Sequence, residues 1–241
     1  MQLTLKIADL RVAIDAKHEY VMKQCMPYAT AYDRASADIC LSVTHAEIAS
    51  AIEKSQAEGR KLSEGMAESQ CLLWQLCQHL PNFGCLMLHA AVITDGKHTF
   101  AFTAPSGTGK TTHIRLWQRV FGEDIQIING DKPILRRTKT GFVAYGTPWC
   151  GKEGFQTNKG MPLTSLCFLT RGQENIISRL DPTQAVVPIF HQVIIPQNPE
   201  TAGKAMDLVD ALVRGVPLYH LSCNMEEEAA RVARAGMMSW S

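Results

Sequence analysis

The stretch that decides the predicted fold is Ala101–Ile114, AFTAPSGTGKTTHI. A short apolar run breaks into small residues, reaches Gly-Lys-Thr and continues with the apolar spacing of a helix. The phosphate-loop (Walker A) spacing G-x-x-x-x-G-K-[ST] is met from Ala104 to Thr111, with alanine in place of the first glycine. In such a loop, backbone N–H groups and the start of the following helix bind an anion, and Gly107 and Gly109 allow positive φ angles. The sequence therefore predicts a loop that holds a nucleoside triphosphate.

Side chains of this loop have predicted tasks. Lys110 places a positive charge on the β- and γ-phosphates, and the hydroxyl of Thr111 is offered to Mg²⁺. The metal also needs a carboxylate at the end of a neighbouring strand, and Asp131 follows the apolar segment Ile125–Ile128. A turn-capping aspartate is the alternative for Asp131. The residues predicted to contact ATP in the loop are Pro105, Ser106, Gly107, Thr108, Gly109, Lys110, Thr111 and Thr112.

Composition limits the classes of function. The chain has 241 residues and a net charge of +1, with 46% hydrophobic and 20% charged residues, as in ordinary globular domains. So small a net charge favours neither nucleic acid nor an anionic membrane as a partner. Charges at Lys6, Asp9 and Arg11 argue against a secretory signal, and Cys85–Ile93 is too short to span a bilayer. We expect a cytoplasmic protein whose eight cysteines, lacking Cys-x-x-Cys pairs, are buried free thiols.

The front part of the chain predicts a small α/β unit over residues 1–82. Leu3–Ile14 alternates as a strand does, and Asp38–Val43 is typical of a second strand. A helix is expected from Ser63 to about Leu80, where Pro81 ends it. The main domain is expected over residues 83–241.

The rest of the chain predicts a mixed sheet with helices. Cys85–Ile93 is a near-continuous apolar run, and Asp95-Gly96 predicts a hairpin into a second strand. The helix Thr111–Phe121 ends at Gly122. A last helix is expected over Asn224–Ala235, with Asn224 as its N-cap and Gly236 as its stop. Further strands are expected at Ile125–Ile128, Ile134–Arg137, Phe142–Tyr145, Leu163–Leu169 and Tyr219–Cys223, and a further helix at Met206–Val213.

Three motifs together resemble a known family. SGTGKTT, preceded by LHAAVI and followed by INGDKPIL, resembles the C-terminal domain of HPr kinase/phosphorylase and its kinase-like relatives. The loop is also similar to that of ATP-dependent phosphoenolpyruvate carboxykinase, which has the same kind of P-loop core. The resemblance covers roughly residue 84 to the C-terminus. It implies an α/β P-loop nucleotide-binding core with a mixed sheet, preceded by the small α/β unit.

The resemblance also implies roles for residues around the loop. Asp131 matches the metal-binding second residue of the family's Asp-Asp pair. The first residue of that pair, implied as the proton acceptor, falls on Gly130, so either another group is the base or phosphoryl transfer is weak or absent. An aspartate at position 130 is then expected to raise transfer. His89 matches a histidine near the phosphates, where it could polarise the γ-phosphate or accept a proton; a core histidine bonded to backbone is the alternative.

Two further segments carry candidate site residues. In GTPWCGKEG, Gly146–Gly154, Trp149 is placed to stack on the base or clamp the acceptor, and Lys152 to neutralise phosphate charge. A structural turn with one buried tryptophan is the alternative. Arg171 follows an apolar strand and is a candidate for stabilising the transferring phosphoryl group, or else a solvated turn residue.

These observations favour an ATP- and Mg²⁺-dependent kinase acting on a hydroxyl. The acceptor is a serine of a small protein or peptide, or a small molecule, and the sequence leaves a homo-oligomer open. The alternative is a nucleotide-binding module with little or no catalysis, because position 130 is glycine. A phosphoenolpyruvate carboxykinase-like enzyme is disfavoured, since the chain lacks room for that family's large substrate-binding domain.

Overall fold

Fourteen strands form three sheets in the computed structural model, which describes residues 1–239. In chain order the strands are β1 (Gln2–Ile7), β2 (Leu10–Asp15), β3 (Ala29–Thr30), β4 (Ile39–Ser42), β5 (Cys85–Met87), β6 (Ala90–Thr94), β7 (Thr99–Thr103), β8 (Gln126–Asn129), β9 (Ile134–Thr138), β10 (Gly141–Tyr145), β11 (Gly160–Pro162), β12 (Ser165–Arg171), β13 (Ile176–Arg179) and β14 (Leu218–Cys223). The helices are α1 (Glu19–Cys25), α2 (His45–Ala57), α3 (Glu64–His79), α4 (Lys110–Phe121), α5 (Pro182–Phe190), α6 (Pro199–Gly215) and α7 (Glu228–Met238).

The three sheets divide along the chain. The first has the order β3-β1-β2-β4, the second β11-β10-β9-β5, and the third β13-β14-β12-β7-β6-β8. The chain passes from the first sheet to the others between β4 and β5, but Cys85, Met87, Ile134 and Trp149 pack into the same apolar core as residues 3–80. The division into 1–82 and 83–241 therefore stays a prediction, and residues 240 and 241 of the second range lie outside the described residues.

The third sheet positions the phosphate loop. Strands β7, β12 and β14 run parallel, whereas β6, β8 and β13 are antiparallel to their neighbours, which confirms the predicted mixed sheet. Apolar residues of α4 and α7 cover one face, and those of α5, α6 and the second sheet cover the other. Because the three parallel strands end at one edge, the residues that follow β7, β12 and β14 meet there.

Several predicted elements are confirmed, some with shifted bounds. The hairpin at Asp95-Gly96 joins β6 and β7, and Gly122, with a φ of 69°, ends α4. Helix α3 starts directly after its N-cap Ser63, close to the predicted start. The predicted strand at Asp38–Val43 is present as β4.

Three predicted elements are wrong. Leu3–Ile14 is the hairpin β1–β2, which turns at Ala8 and Asp9 with φ angles of 51° and 58°. The run Cys85–Ile93 is two strands in different sheets, and its burial on both sides hides the break from sequence periodicity. Helix α7 begins at Glu228 and passes through Gly236, whose missing Cβ would lie 2.4 Å from Cγ2 of Ile177, so that glycine permits close packing rather than ending the helix.

None of the helices within residues 1–239 has both the length and the apolar character needed to cross a membrane. Cys25, Cys77, Cys85, Cys150 and Cys167 are buried thiols, but Cys40 is exposed, unlike the prediction.

Candidate functional site

The phosphate loop joins β7 to α4 at the edge where the parallel strands end. Gly107 and Gly109 have φ angles of 78° and 125°, values that favour glycine and turn the loop back towards the helix. A Cβ at either position would meet no atom within 4 Å, so conformation rather than space requires glycine there. Ala104 is not among the described residues with positive φ, so alanine fits in place of the first glycine.

Lys110, the first residue of α4, folds back on the loop. Its Nζ donates to the carbonyl oxygen of Ala104 at 2.8 Å, and the side chain is buried. Burial lowers the pKa of Lys110 to about 8, with the nearby charge of Asp131 acting in the opposite direction. An anion in the loop would favour the charged ammonium.

Asp131 is held between two basic side chains. Its Oδ1 lies 3.1 Å from Nε2 of His89, and its Oδ2 lies 3.1 Å from Nζ of Lys132. Burial acts to raise the pKa of Asp131, but the hydrogen bond with His89 and the charge of Lys132 outweigh it and lower the pKa below its usual value. The carboxylate is therefore a fixed negative charge opposite the phosphate loop.

His89 lies at the break between β5 and β6, where the chain crosses from one sheet to another. Its Nδ1 lies 3.0 Å from Oε1 of Gln192, and its backbone N–H donates to the carbonyl oxygen of Gln192 at 2.8 Å. Both ring nitrogens are thus engaged, one by the amide and the other by Asp131. This histidine orients a carboxylate, and neither predicted alternative described that arrangement.

Asn129 shapes the turn that presents Asp131. Its side-chain oxygen accepts from the backbone N–H groups of Asp131 at 2.9 Å and Lys132 at 2.7 Å. Its amide donates to the carbonyl oxygen of Thr147 at 3.0 Å, and the residue is fully buried. Asn129 therefore joins the Asp131 turn to the loop that follows β10.

Gly130 lies against that loop. A Cβ at position 130 would stand 2.7 Å from the carbonyl oxygen of Cys150 and 3.3 Å from Cβ of Phe155. The backbone N–H of Gly130 also donates to the carbonyl oxygen of Phe155 at 2.9 Å. The structure leaves no room for an aspartate here, contrary to the expectation that one would raise transfer.

The segment Gly146–Gly154 places its two candidates on opposite sides. Lys152 is exposed and lines the cavity beside the phosphate loop. Trp149 is buried in the core shared with residues 3–80, and its Nε1 donates to Ser69 at 3.1 Å. The prediction that Trp149 contacts the base or acceptor is wrong, because its ring packs away from the cavity; its alternative, a buried structural tryptophan, matches this placement.

Arg171, the last residue of β12, contacts the loop backbone. Its side chain donates to the carbonyl oxygens of Gly107 at 2.5 Å and Thr108 at 3.3 Å. The side chain is exposed and does not line the cavity that holds Asp131. It braces the loop instead of pointing at a transferring group, which differs from the predicted catalytic role.

We call the cavity between the phosphate loop and Asp131 the His89 cavity; its volume is about 410 Å³. Among the predicted residues, those that line it are His89, Ser106, Gly107, Gly109, Lys110, Thr111, Thr112, Asp131 and Lys152. Pro105 and Thr108 belong to the loop but border other cavities. The structure thus brings a glycine-containing loop, a lysine at a helix N-terminus and a histidine-bound carboxylate to one space.

Two residues of the site, Asn129 and Gln192, are not among those predicted from the sequence. Asn129 carries a detectable signal, because asparagine two and three residues before the bonded N–H groups is a common turn-former. Gln192 carries none, since 103 residues separate it from His89 and no local pattern joins them.

The sequence matches no protein-family model and no curated protein. Among solved structures, the Hpr(Ser) kinase/phosphatase from Coxiella burnetii matches with 12% sequence identity and a TM-score of 0.35, covering 64% of this chain and 93% of that chain. So distant a likeness carries no argument about function, which we therefore derive from the residues of the site.

Proposed function

We propose that the protein is an ATP- and Mg²⁺-dependent phosphotransferase that passes the γ-phosphoryl group to a hydroxyl. The observation that carries the proposal is the His89 cavity, where Lys110 of the phosphate loop and the carboxylate of Asp131 line one space. An anion-binding loop alone would serve any phosphate ligand. Phosphoryl transfer also requires a carboxylate that holds the metal, and Asp131 provides one in the same cavity.

The chain's own groups supply positioning and charge. Backbone N–H groups of the loop and the start of α4 bind the phosphates, and Lys110 exchanges the carbonyl oxygen of Ala104 for a phosphate oxygen. Exposed Lys152 adds a second cation at the cavity mouth. The acceptor oxygen bonds to the γ-phosphorus as the bond to the β-phosphate oxygen breaks, and the hydroxyl proton leaves on a phosphate oxygen or in water. Such a loose transition state needs little covalent help from the protein.

The donor set of the cavity suits magnesium. Thr111 offers a hydroxyl and Asp131 a carboxylate, and Mg²⁺ prefers such oxygen ligands together with phosphate and water. Within residues 1–239 there is no cluster of three or more His, Cys, Asp or Glu side chains that could hold a metal without a substrate. When bound with the nucleotide, the ion would neutralise phosphate charge.

One observation favours a second candidate, a nucleotide-binding module with little turnover. Gly130 offers no proton acceptor, and the backbone of Cys150 excludes a side chain there. Both ring nitrogens of His89 are engaged, so it too offers no free base. If activation of the acceptor hydroxyl limits the rate, ATP binds but transfer is slow.

Calorimetric titration with ATP and Mg²⁺ tests the shared basis of both candidates. Lys110→Met is expected to weaken binding about 10- to 100-fold, the usual effect of losing a charged hydrogen-bond donor. Lys97→Met is the matched control, because Lys97 is an exposed lysine in the turn at the opposite end of β7. No heat from the wild type, or equal losses in both variants, would contradict the phosphate site.

Transfer of labelled phosphate separates the two candidates. The protein is incubated with γ-labelled ATP, Mg²⁺ and cell extract, and both ADP and labelled acceptor are measured. A phosphotransferase labels an acceptor, and Asp131→Asn lowers the rate more than it lowers ATP affinity. Tight ATP binding without ADP formation favours the module.

A further inference from the structure

Gln192 lies in the connection between α5 and α6 and reaches the site from a distant part of the chain. Its Oε1 lies 3.0 Å from Nδ1 of His89, and its backbone carbonyl oxygen accepts from the backbone N–H of His89 at 2.8 Å. An isolated antiparallel bridge pairs the neighbouring residues Leu88 and Val193. The main chain and the side chain of Gln192 therefore both contact the residue that holds Asp131.

The side-chain bond decides which way the ring of His89 faces. The torsion that turns an imidazole about its bond to Cβ is broad and roughly two-fold, so a hydrogen bond is needed to select one orientation. With Nδ1 bonded to Gln192, Nε2 faces Oδ1 of Asp131 at 3.1 Å. A glutamine amide carries both an acceptor oxygen and N–H donors, so it can bond Nδ1 with or without a proton there. The amide therefore fixes the orientation of the ring.

The orientation of the ring matters because Asp131 is held by one contact at each of its oxygens. Oδ1 contacts Nε2 of His89, and Oδ2 contacts Nζ of Lys132, each at 3.1 Å. Lys132 is the next residue in the chain, whereas His89 belongs to the break between β5 and β6. A carboxylate that loses the bond at Oδ1 can turn and share both oxygens with Lys132. Gln192 thus acts on the carboxylate through His89.

We propose that Gln192 is a positioning residue for phosphoryl transfer, because it orients the ring of His89 and so keeps the carboxylate of Asp131 placed for magnesium. The inference rests on the proposed function and adds to it a residue from the connection between α5 and α6. Polar groups behind a metal ligand fix the orientation of that ligand and raise the affinity of the site. Gln192 is not among the residues that line the His89 cavity, so its effect is indirect.

The first test removes the amide and leaves the backbone contacts in place. Gln192→Met has a similar length, and the main-chain bonds of residue 192 to His89 and Ile189 do not depend on its side chain. ATP affinity of the full chain is measured by calorimetry with Mg²⁺ and again with EDTA. The variant should bind ATP about fivefold more weakly with Mg²⁺ and nearly as the wild type does without it, because Asp131 contributes through the metal. A merely structural role would lower both affinities alike.

Two further variants frame this result. Gln197→Met is the matched control, because Gln197 is an exposed glutamine of the same connection and lies outside the lining of the His89 cavity. Gln192→Glu keeps an acceptor oxygen for Nδ1–H of His89 and should recover part of the lost affinity. Equal losses in Gln192→Met with and without Mg²⁺, or equal losses in Gln192→Met and Gln197→Met, would overturn the proposal.

Nitrogen-15 NMR of the imidazole groups tests the same contact in the free protein. The Nδ1 resonance of His89, assigned by its absence from His89→Ala, should shift in Gln192→Met and keep its position in Gln197→Met. The ring of His18, which is bonded to two carboxylates of α3, should give unchanged resonances in both variants and so shows that the fold is kept. An unshifted Nδ1 resonance in Gln192→Met would overturn the proposal.

A double-mutant cycle tests whether Gln192 acts through His89. His89→Ala should weaken Mg²⁺-dependent ATP binding at least as much as Gln192→Met does, and the two changes together should weaken it no further. Losses that multiply would overturn the path through His89. Normal ATP binding with unchanged Mg²⁺ dependence in Gln192→Met would overturn this inference alone. Failure of the wild type to bind ATP would overturn the proposed function, and the inference with it.

Discussion

At the scale of single residues, Gly130 shows how packing limits the chemistry of the site. The position follows β8, where the resemblance to the kinase family implies a carboxylate. The carbonyl oxygen of Cys150 would stand 2.7 Å from any Cβ there, and it belongs to backbone that cannot rotate away. The glycine therefore allows the loop 146–155 to close against Asp131, and that closure builds the wall of the His89 cavity.

We expect Gly130→Ala and Gly130→Asp to destabilise the fold and to leave phosphate transfer no higher than in the wild type. The added Cβ must displace backbone, at a cost of about 1–3 kcal/mol. Gly203→Ala is the matched control, because nothing lies within 4 Å of a Cβ at that helical position, and it should stabilise by about 0.5–1 kcal/mol. Urea unfolding followed by circular dichroism measures both. A stable Gly130→Asp protein with raised transfer would contradict this account.

The same scale shows what the sequence could predict about the site. The strand–loop–helix shape of the phosphate loop was predictable, because two glycines with positive φ and the start of α4 fall within eight consecutive positions. The sequence marks Arg171 and Trp149 as candidate site residues. It does not predict which way their side chains point, because no local pattern tells which wall of a cavity a side chain faces. Gln192 could not be predicted from the sequence. It lies beside His89 because an isolated β-bridge pairs the neighbouring residues Leu88 and Val193, and no local pattern indicates that pairing.

At the scale of elements, the turns that lack glycine are the ones that sequence patterns miss. The β1–β2 turn has Ala8 and Asp9 at positive φ, whereas two-residue hairpin turns usually contain Asn-Gly or Asp-Gly. The break between β5 and β6 has no turn residue either, yet it delivers His89 to the site. By contrast, Asp95-Gly96 carries the usual signal, and its hairpin was predicted.

An element-scale contact predicts how stability depends on pH. His18, at the N-terminus of α1, lies between two carboxylates of α3, with Nδ1 2.9 Å from Glu68 and Nε2 3.0 Å from Glu64. The hydrogen bond with Glu68 is the largest influence and raises the pKa of His18 above 6.5, although burial opposes it. The folded state therefore binds this proton more tightly than the unfolded state does.

We expect the stability contributed by His18 to be complete below pH 6.5 and to be lost as the pH rises through the raised value. His18→Gln should thus lower the melting temperature most at acidic pH, and the difference from the wild type should shrink towards alkaline pH. His45→Gln is the control, because His45 is exposed at the start of α2. A difference that grows with pH would contradict the assignment.

At the scale of the whole molecule, the part of the chain before residue 83 supports the wall of the His89 cavity. Trp149 lies in the loop that also contributes Cys150 and Lys152 to that cavity. Its indole N–H donates to Ser69 of α3, and Gln24 of α1 donates to the carbonyl oxygen of Pro148 at 3.2 Å. The front helices therefore contact the loop that forms part of the lining of this cavity, which the phosphate loop also lines.

We expect Trp149→Phe to lower both stability and ATP affinity, although Trp149 does not contact the cavity. Removing the indole N–H leaves the buried groups of Ser69 without their donor, at a cost of about 1–2 kcal/mol, which corresponds to a fall in melting temperature of roughly 2–8 °C. The loosened loop should weaken ATP binding about threefold while sparing the phosphate loop itself.

Trp74→Phe provides the comparison that isolates the buried contact. Trp74 lies on the same helix as Ser69 but is 42% exposed, so its replacement should change neither the melting temperature nor the ATP affinity appreciably. Differential scanning calorimetry and ATP titration of the two variants measure the contrast. If Trp149→Phe melts earlier yet binds ATP as the wild type does, the front helices stabilise the chain without shaping the cavity. If the two tryptophan variants behave alike, the shared core does not couple the front helices to the site.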